Sequence, residues 1–259
     1  MRSYRLEPDI WLGGILGHEA YRLTFVSPED MSMPSLPART PAGKIFIYAK
    51  TDVHALDETR FLESRGFRLM DTNLTFSRRR LDPETGKNLD RGLETRVRMA
   101  VPADEDAVVA LARSSFTVDR FHLDPEVPTA TADHLKGEWV RNYFKGKRGT
   151  AMAVAEAGSG KGIAGFLLFL LVGNALVIDL VAVSPDHRSQ GLAGAMTRFG
   201  EQSFAKAEVL KVGTQIGNSG AIRCYQKLGF RLDHSHYVFH YHGPMPESIL
   251  AGGIGKAAS

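Results

Sequence analysis

Apolar runs in the last two thirds of the chain predict a series of strands. Ile163–Val172 and Ala175–Val183 are rich in Val, Ile, Leu and Phe, and Gly173-Asn174 between them is a two-residue hairpin signal. Ala151–Glu156 and Val209–Gln215 have a similar character. Shorter patterns at 96–99 and 237–241 predict two further strands.

Apolar residues spaced three and four apart predict helices between these strands. The pattern indicates helices at 104–115, after Thr131 to 144, and at 192–206. A further helix is framed by Asn218, a good N-cap, and by Gly229, a good left-handed terminator. Strands and helices therefore alternate through this part of the chain.

A polar, turn-prone stretch between Arg78 and Thr95 separates two regions of the sequence. We predict a small N-terminal α/β domain at 1–82, a linker at 83–94, a main domain at 95–243 and a tail at 244–259. Leu62–Leu69 and Gln226–Leu232 share a helix-like run followed by Gly-Phe-Arg-Leu. This similarity indicates either a partial internal copy or a common way of ending a helix.

Charge and cysteine content narrow the class of protein. A net charge of +3 is too small an excess for a nucleic-acid coat. The single cysteine, Cys224, excludes an internal disulfide framework and favours a reducing compartment, the cytoplasm. Residues 1–11 lack the apolar core of a secretory signal. The stretch 162–183 approaches a membrane-spanning length, but its hairpin turn and Asp179 argue against membrane insertion.

The segment from Val181 to Gly194 has the character of a phosphate-binding turn. A buried strand leads through a glycine-bearing turn into an amphipathic helix, so the amides of 189–194 can converge on phosphate oxygens. Gly191, with the small Ala193 and Gly194, lets a ligand approach the backbone closely. A glycine-bearing turn by itself also joins strands and helices that bind nothing.

An apolar strand is followed by Arg188-x-x-Gly191-x-Ala193, and further along the chain by Asn218, Tyr225 and Leu228-Gly-Phe230. Over about 96–241 this set of motifs resembles the GNAT (Gcn5-related N-acetyltransferase) superfamily. The resemblance implies an α/β (α+β) fold with a mixed, mostly antiparallel central sheet, and acetyl-CoA as co-substrate. It implies that a splayed strand pairs with the pantetheine arm through the backbone of Val181 and Val183. The implied cofactor-binding residues of the turn and the next helix are Arg188, Ser189, Gln190, Gly191, Leu192, Ala193, Gly194 and Asn218.

The same resemblance makes Tyr225 the general acid that protonates the departing thiolate; a packed core aromatic is the alternative. The general base stays open between Asp179, His234 and a water chain. Cys224 is expected to be a small buried thiol and not a nucleophile. The basic runs Arg78-Arg-Arg80 and 145–148 are expected at the solvated surface, with diphosphate contact as the alternative.

Four histidines at even spacing fall on one face of the last strand, opposite Tyr237, Phe239 and Tyr241. They are His234, His236, His240 and His242. Two of them could bind a metal, but no cysteine or acidic residue accompanies them at ligand spacing. We therefore predict the polar face of an edge strand and no metal.

Several stretches resemble the TDP-fucosamine N-acetyltransferases and related enzymes that act on nucleotide-linked 4-amino sugars. They are Phe61–Phe67, Asp71–Phe76, Phe116–His122 with Asp124-Pro125, Trp139–Phe144 and Gly213–Asn218. The resemblance implies a dTDP-amino-sugar as the amine substrate, with Arg120 and Phe121 contacting it, and a role in surface polysaccharide biosynthesis.

Trp11–Gly17 departs from the aromatic pair before glycine that these relatives tend to have. A protein, peptide or other small-molecule amine is therefore the alternative substrate, and a non-catalytic acyl-CoA-binding module is a second alternative. The sequence leaves the oligomeric state open, with a homodimer among the options.

Overall fold

A computed structural model describes residues 3–26, 43–81, 96–158, 162–247 and 249. The chain divides into two compact units. Unit 1 comprises Met1–Asn73, Asp119–Thr131 and Ser235–Ser259, and unit 2 comprises Leu74–Val118 and Ala132–His234. The expected linker at 83–94 lies outside the described residues, and the division placed there stays a prediction.

Unit 1 is built on parallel and antiparallel strands with two short helices. Its elements are β1 (Ser3–Pro8), α1 (Ile10–Leu16), β2 (Ala20–Val26), β3 (Ile45–Asp52), α2 (Leu56–Glu63), the start of β4 (Arg68–Arg79) and most of β10 (Arg231–Gly243). Strand β2 is antiparallel to β1 and parallel to β3, while β10 is antiparallel to β3. Alternate residues of these strands form the buried core of this unit, for example Leu6 of β1, Ile47 of β3 and Phe239 of β10.

Unit 2 contains the strands from β5 to β9 and most of the helices. Its elements are β5 (Val97–Met99), α3 (Glu105–Ser115), α4 (Thr129–Phe144, which begins in unit 1), β6 (Ala151–Glu156), β7 (Ile163–Val172), β8 (Ala175–Val183), α5 (Leu192–Ser203), β9 (Val209–Gln215) and α6 (Ser219–Lys227). Strands β5 to β8 form an antiparallel series, and β8 and β9 are parallel. The predicted mixed, mostly antiparallel sheet is therefore confirmed.

The apolar run of β7 is explained by burial on both faces of the sheet. Leu167 and Phe169 pack in a core that also contains residues of α5 and α6, whereas Phe166 and Leu168 pack in a second core with residues of α3. A strand covered on both faces reads as a continuous apolar run, which is what the sequence shows.

The element boundaries of unit 2 match the predicted ones closely. Strands β6, β7, β8 and β9 begin and end where the sequence places them. Helix α5 ends at Ser203, three residues early. Strand β10 is longer than predicted and is not an edge strand, because β3 and β4 are its neighbours. In the part of the chain that the structure describes, no helix combines the length and apolar character needed to cross a membrane.

Candidate active site

Strands β8 and β9 separate at the point where the sequence places the cofactor. Their parallel pairing runs from Ala175↔Val209 to Ile178↔Val212 and goes no further, although β8 stays paired with β7 up to Val183. A bulge at Asp179, opposite the Leu168/Phe169 step of β7, marks the start of the separation. The register therefore assigns residues 180–183 no partner on the β9 side.

Val181 and Val183 lie in this separated part of β8. Their side chains pack against the core that contains Leu192 and Tyr225. The side chains are thus engaged in the protein, and the main chain is what remains for a ligand to pair with. The splay that the GNAT resemblance implied is present, and the contact with the pantetheine arm stays a prediction.

The turn after β8 has the backbone geometry of an anion site. Pro185–His187 form a short 3-10 helix, and Ser189 and Gly191 both have left-handed φ values of 62° and 80°. Gly191 is the N-cap of α5 and supplies no side-chain cap. The amides of the first turn of α5 therefore keep their hydrogen-bonding capacity beside the positive end of the helix dipole.

Side chains of the turn brace its shape. Ser184 Oγ lies 2.8 Å from His187 Nδ1, and the Nε–H of the exposed Arg188 donates to the Val183 carbonyl over 3.1 Å. Gln190 Nε2 donates to the Asp186 carbonyl over 3.3 Å. These bonds hold the turn against the end of β8 and leave the terminal nitrogens of Arg188 available for a ligand.

Two of the predicted cofactor-binding residues also have packing roles. The side chain of Leu192 is buried in the core, so only its amide can face a phosphate. A Cβ added at Gly194 would stand 3.0 Å from Leu228 Cδ2 and 3.4 Å from an Arg198 nitrogen. The small residue at 194 is therefore explained by close helix packing, a reason that the sequence analysis did not give.

Helix α6 carries the predicted cap and the predicted acid. Asn218 Oδ1 accepts from the Ala221 amide over 3.1 Å, which confirms its capping role, and Gly229 has φ +81° as a left-handed terminator. Tyr225 is buried with 6% exposure between the rings of Phe76 and Phe230. Burial strongly raises the pKa of Tyr225, so its hydroxyl stays protonated at neutral pH, as an acid must.

Asp179 is held as a fixed anion. Arg148 donates to it twice, over 2.8 and 2.6 Å, and Trp139 Nε1 and Tyr143 OH each donate over 2.8 Å. Burial acts to raise the pKa of Asp179, but the hydrogen bonds from Arg148 and Trp139 outweigh it and leave that pKa below its usual range. A carboxylate with these partners is a poor proton acceptor, which disfavours Asp179 as the general base.

The other base candidate and the cysteine have simpler surroundings. His234 is exposed, with Nδ1 3.4 Å from Asp233 Oδ2. Cys224 is half-buried, and burial raises the pKa of its thiol. A thiol that stays protonated is a weak nucleophile, in agreement with the expectation for Cys224.

The two basic runs have different surroundings: residues 145–148 are exposed, as expected, whereas Arg78 is buried. Arg78 forms a bidentate ion pair with Glu201 at 2.6 and 2.8 Å, and both side chains are less than 10% exposed. Its guanidinium also lies 4.8 Å from the Phe230 ring. The expectation of a solvated surface is wrong for Arg78, because a buried carboxylate 123 residues away neutralises it.

In unit 1, the histidines of β10 find an acidic partner that their spacing could not reveal. Asp124 Oδ2 lies 2.6 Å from His240 Nδ1 and 2.8 Å from His242 Nε2, and the donor atoms of the three residues are within 4.8 Å of one another. Arg120 NH1 is 3.2 Å from His240 Nε2. Since arginine can only donate, Nε2 is the acceptor and Nδ1 carries the hydrogen that Asp124 accepts.

This hydrogen-bonded arrangement disfavours a metal at His240. A metal on Nδ1 would require that nitrogen to lose its proton, and Nε2–H would then face the Arg120 donor. The guanidinium charge would also repel a cation at this distance. The absence of a metal therefore stays the prediction.

Arg120 and Phe121 occupy different environments in unit 1. The Arg120 guanidinium carbon lies 4.4 Å from the ring centroid of Tyr48 and 4.3 Å from that of Phe121. Phe121 is only 2% exposed and packs against Phe46 and His240. Its ring is a core contact of this unit, and this burial disfavours the expectation that it stacks on a ligand.

Comparison with known proteins identifies the class to which this geometry belongs. The sequence profile of the Acetyltransferase (GNAT) family matches residues 92–230. The chain belongs to this family, whose members take the acetyl group from acetyl-CoA.

One curated relative aligns with about half of the chain. The spore coat polysaccharide biosynthesis protein SpsD of Bacillus subtilis (strain 168) is 31% identical over 141 residues, which are 54% of this chain and 48% of SpsD. The chain thus aligns with about half the length of this relative.

Solved structures share the fold. A GCN5-related N-acetyltransferase from Sphaerobacter thermophilus matches with a TM-score of 0.56 and 15% identity, over 86% of this chain and 72% of that one. A tandem GNAT protein from the clavulanic acid biosynthesis pathway matches with a TM-score of 0.53 and 12% identity, over 86% and 75% of the two chains. At these identities the likeness is one of fold.

Proposed function

We propose that this protein transfers an acetyl group from acetyl-CoA to the amine of a nucleotide-linked 4-amino sugar, of which a dTDP-amino-sugar is the first choice. The observation that carries the transfer is the separation of β8 from β9 beside an uncapped helix N-terminus. The sugar class is supported by the similarity to SpsD and by the sequence resemblance around 116–125. Cytoplasmic action on a polysaccharide precursor accords with both.

The residues of unit 2 have distinct tasks in this proposal. The first-turn amides of α5 bind the pyrophosphate of the coenzyme, with Arg188 adding positive charge. The backbone of Val181 and Val183 aligns the pantetheine arm, and an N–H near Val181 stabilises the oxyanion. Asn218 caps α6 and thereby fixes the start of the helix that carries Tyr225.

Acetyl-CoA supplies a thioester, and attack by the neutral substrate amine at its carbonyl carbon breaks the C–S bond and releases a thiolate. Tyr225 holds the proton that this thiolate needs, because burial keeps its hydroxyl protonated. The amine nitrogen loses its extra proton to a base that stays unassigned, since Asp179 is already an ion-paired anion. Tyr225 then regains a proton from solvent.

Thiol release from acetyl-CoA tests this proposal directly. The purified chain is incubated with acetyl-CoA and with TDP- and UDP-linked amino sugars, aminoglycosides and peptides, each in a separate reaction. We expect release with a nucleotide-linked 4-amino sugar and an acetylated product by mass spectrometry. The matching 4-hydroxy sugar nucleotide, which has no amine, is the control. Release with peptides alone would refute the sugar substrate.

A further inference from the structure

The register of unit 1 aligns polar side chains across neighbouring strands. Arg22 of β2 is paired with Tyr48 of β3, and Tyr48 is paired with His240 of β10. Paired residues on adjacent strands point to the same face and lie about 5 Å apart. Lys50, two residues after Tyr48, shares that face. The larger apolar cluster of unit 1 occupies the opposite face, while on this face Tyr48 and His240 pack against Phe46. The exposed side chains of Arg22 and Lys50 stand at the solvent side of the row.

Arg120 joins this row from outside the sheet. Its guanidinium lies against the Tyr48 ring, and NH1 is anchored on His240 Nε2 at 3.2 Å. His240 is itself fixed by Asp124, and its side chain is fully buried. The guanidinium plane is therefore held in place, and its other N–H groups make no hydrogen bond to any described residue. Such a pre-oriented fork suits an anion with several oxygens.

Arg22, Lys50 and Arg120 are not directly paired with a carboxylate of the described residues. Among the residues that the structure describes, no ion pair within 4.0 Å involves Arg22, Lys50 or Arg120. Three nearby carboxylates hydrogen-bond to other groups: Asp9 accepts from Tyr48 OH at 3.0 Å, Asp119 from the Phe121 amide at 3.1 Å, and Asp124 from His240 at 2.6 Å. Asp119, Asp9 and Asp124 attract Arg120, and Asp71 attracts Lys50, but Lys50 is also repelled by Arg120 and Arg22, and a bound anion would relieve this repulsion.

The electrostatics of Lys50 and Arg120 agree with this geometry. Lys50 retains solvent access, yet surrounding protein atoms desolvate its amine and repulsion from Arg120 and Arg22 adds to this, lowering its pKa to about 8. Asp71 opposes the shift only weakly. Desolvation lowers the pKa of Arg120 to about 10, so both groups keep positive charge at pH 7.

We propose that Arg22, Lys50 and Arg120 form a binding site for the diphosphate of the nucleotide-linked substrate. The inference rests on the proposed function for the identity of the ligand, but the site itself is argued from the cations of unit 1. The exposed side chains of Arg22 and Lys50 and the anchored guanidinium of Arg120 provide the hydrogen-bond donors that two adjacent phosphates require. This assigns part of substrate binding to residues 22 and 50, which lie outside the conserved acetyltransferase profile at 92–230.

Calorimetric titration with TDP, on protein already saturated with CoA, tests the site without needing catalysis. R22Q and K50Q are each expected to weaken TDP binding roughly tenfold to a hundredfold, as for loss of one charge-assisted contact. The R22Q/K50Q double variant is expected to weaken it further. R60Q removes an exposed positive charge on α2 of the same unit and is expected to leave TDP binding unchanged. CoA affinity should be the same in the wild type and in all four variants.

Two competition experiments distinguish recognition of the diphosphate from recognition of the nucleoside. Inorganic pyrophosphate is expected to compete with TDP, whereas thymidine is not. Equal TDP affinity in the wild type and the double variant would overturn the site, as would a wild type that binds neither TDP nor pyrophosphate.

The outcome is separable from that of the proposed function. Acetylation of a dTDP-amino-sugar with the same KM in wild type and double variant would refute the diphosphate site and keep the function. Loss of TDP binding in the double variant of a chain that acetylates no sugar nucleotide would keep the site and refute the function.

Discussion

Replacing Tyr225 with phenylalanine removes the proposed acid and almost nothing else. General acid catalysis typically contributes 10² to 10⁴ in rate, which corresponds to about 2.7 to 5.4 kcal/mol of transition-state stabilisation at 1.36 kcal/mol for each tenfold step. We therefore expect kcat of Y225F to fall at least a hundredfold. The coenzyme contacts are assigned to backbone groups of β8 and α5, so the Kd for CoA should not change.

The fold should tolerate this substitution. The ring of Tyr225 packs between Phe76 and Phe230 at centroid distances of 6.1 and 6.0 Å, and phenylalanine preserves both contacts. The Tyr225 hydroxyl donates to no described residue, so its loss leaves no protein group without a partner. The hydroxyl oxygen is not among the fully buried polar atoms that lack a partner, so it keeps access to solvent and its removal should change the stability little.

The assay follows thiol release at saturating acetyl-CoA, with thermal melting and CoA titration on the same preparations. Y225F should show a slow kcat beside an unchanged Kd and a nearly unchanged Tm. Because burial raises the pKa of Tyr225, no loss of wild-type activity from its ionisation is expected between pH 6 and pH 9. A Y225F rate equal to wild type, with both controls normal, would remove Tyr225 from the chemistry and leave it as a core residue.

Three other changes have expected outcomes. G191A places a side chain at φ +80°, where a non-glycine residue costs about 1 to 3 kcal/mol of backbone strain. CoA titration should therefore show binding weakened about fivefold or more. G217A is the control, because Gly217 does not have a positive φ. D179N removes the bidentate acceptor of Arg148, whose side chain is 39% exposed. Chemical denaturation should show that the free energy of unfolding falls by about 2 kcal/mol. An unchanged free energy of unfolding would contradict the contacts described. Burial is the main cause that lowers the pKa of His240 to about 4 in the folded state. Between pH 6.5 and pH 4 the unfolded state therefore binds more protons than the folded state. The free energy of unfolding should fall over this range by up to about 3 kcal/mol. Melting curves at pH 7 and pH 5 check this, and a pH-independent Tm would contradict it.

Most of unit 2 was predictable because its signals are local. The hairpin at Gly173-Asn174, the cap at Asn218 and the terminator at Gly229 depend on residues within a few positions of one another. The turn after β8 is also local, since left-handed φ values at Ser189 and Gly191 follow from the chemistry of a tight strand-to-helix connection. Apolar periodicity then fixes the strands on either side.

The polar arrangement of unit 1 was not predictable for the opposite reason. Asp124 and His240 are 116 residues apart, and no periodicity links them. The row formed by Arg22, Tyr48 and His240 depends on the register of three strands, and register is set by tertiary packing. The same holds for the ends of β10, which extends because it has strands on both sides. The even spacing of the histidines in β10 indicates only that one face of this strand is polar.

The two units repeat an order of elements. In unit 1 an antiparallel pair, β1 and β2, precedes a strand parallel to β2 and then a helix ending in Gly66-Phe67; in unit 2, β7 and β8 precede parallel β9 and a helix ending in Gly229-Phe230. Both helices also end in the same backbone geometry. The matching hydrogen bonds are Phe67 N to Leu62 O at 3.1 Å and Phe230 N to Tyr225 O at 3.0 Å, and both glycines have φ +81°. Such helix ends are common, so the repeated order of strands is the stronger support for a partial internal copy.

The correspondence also indicates how the units differ chemically. The position that matches Tyr225 is Leu62 in unit 1, a fully buried side chain that cannot donate a proton. The segment between β2 and β3 contains no Arg-x-x-Gly-x-Ala sequence, the motif that follows β8 in unit 2. Unit 1 therefore keeps the order of strands without the acid or the phosphate-binding motif of an acetyltransferase. Its unpaired cations lie on β2 and β3, the strands that match β8 and β9. In a copy that does not bind the coenzyme, the residues of these strands are free to change in evolution. The charges of Arg22 and Lys50 on these strands fit binding of the substrate phosphates.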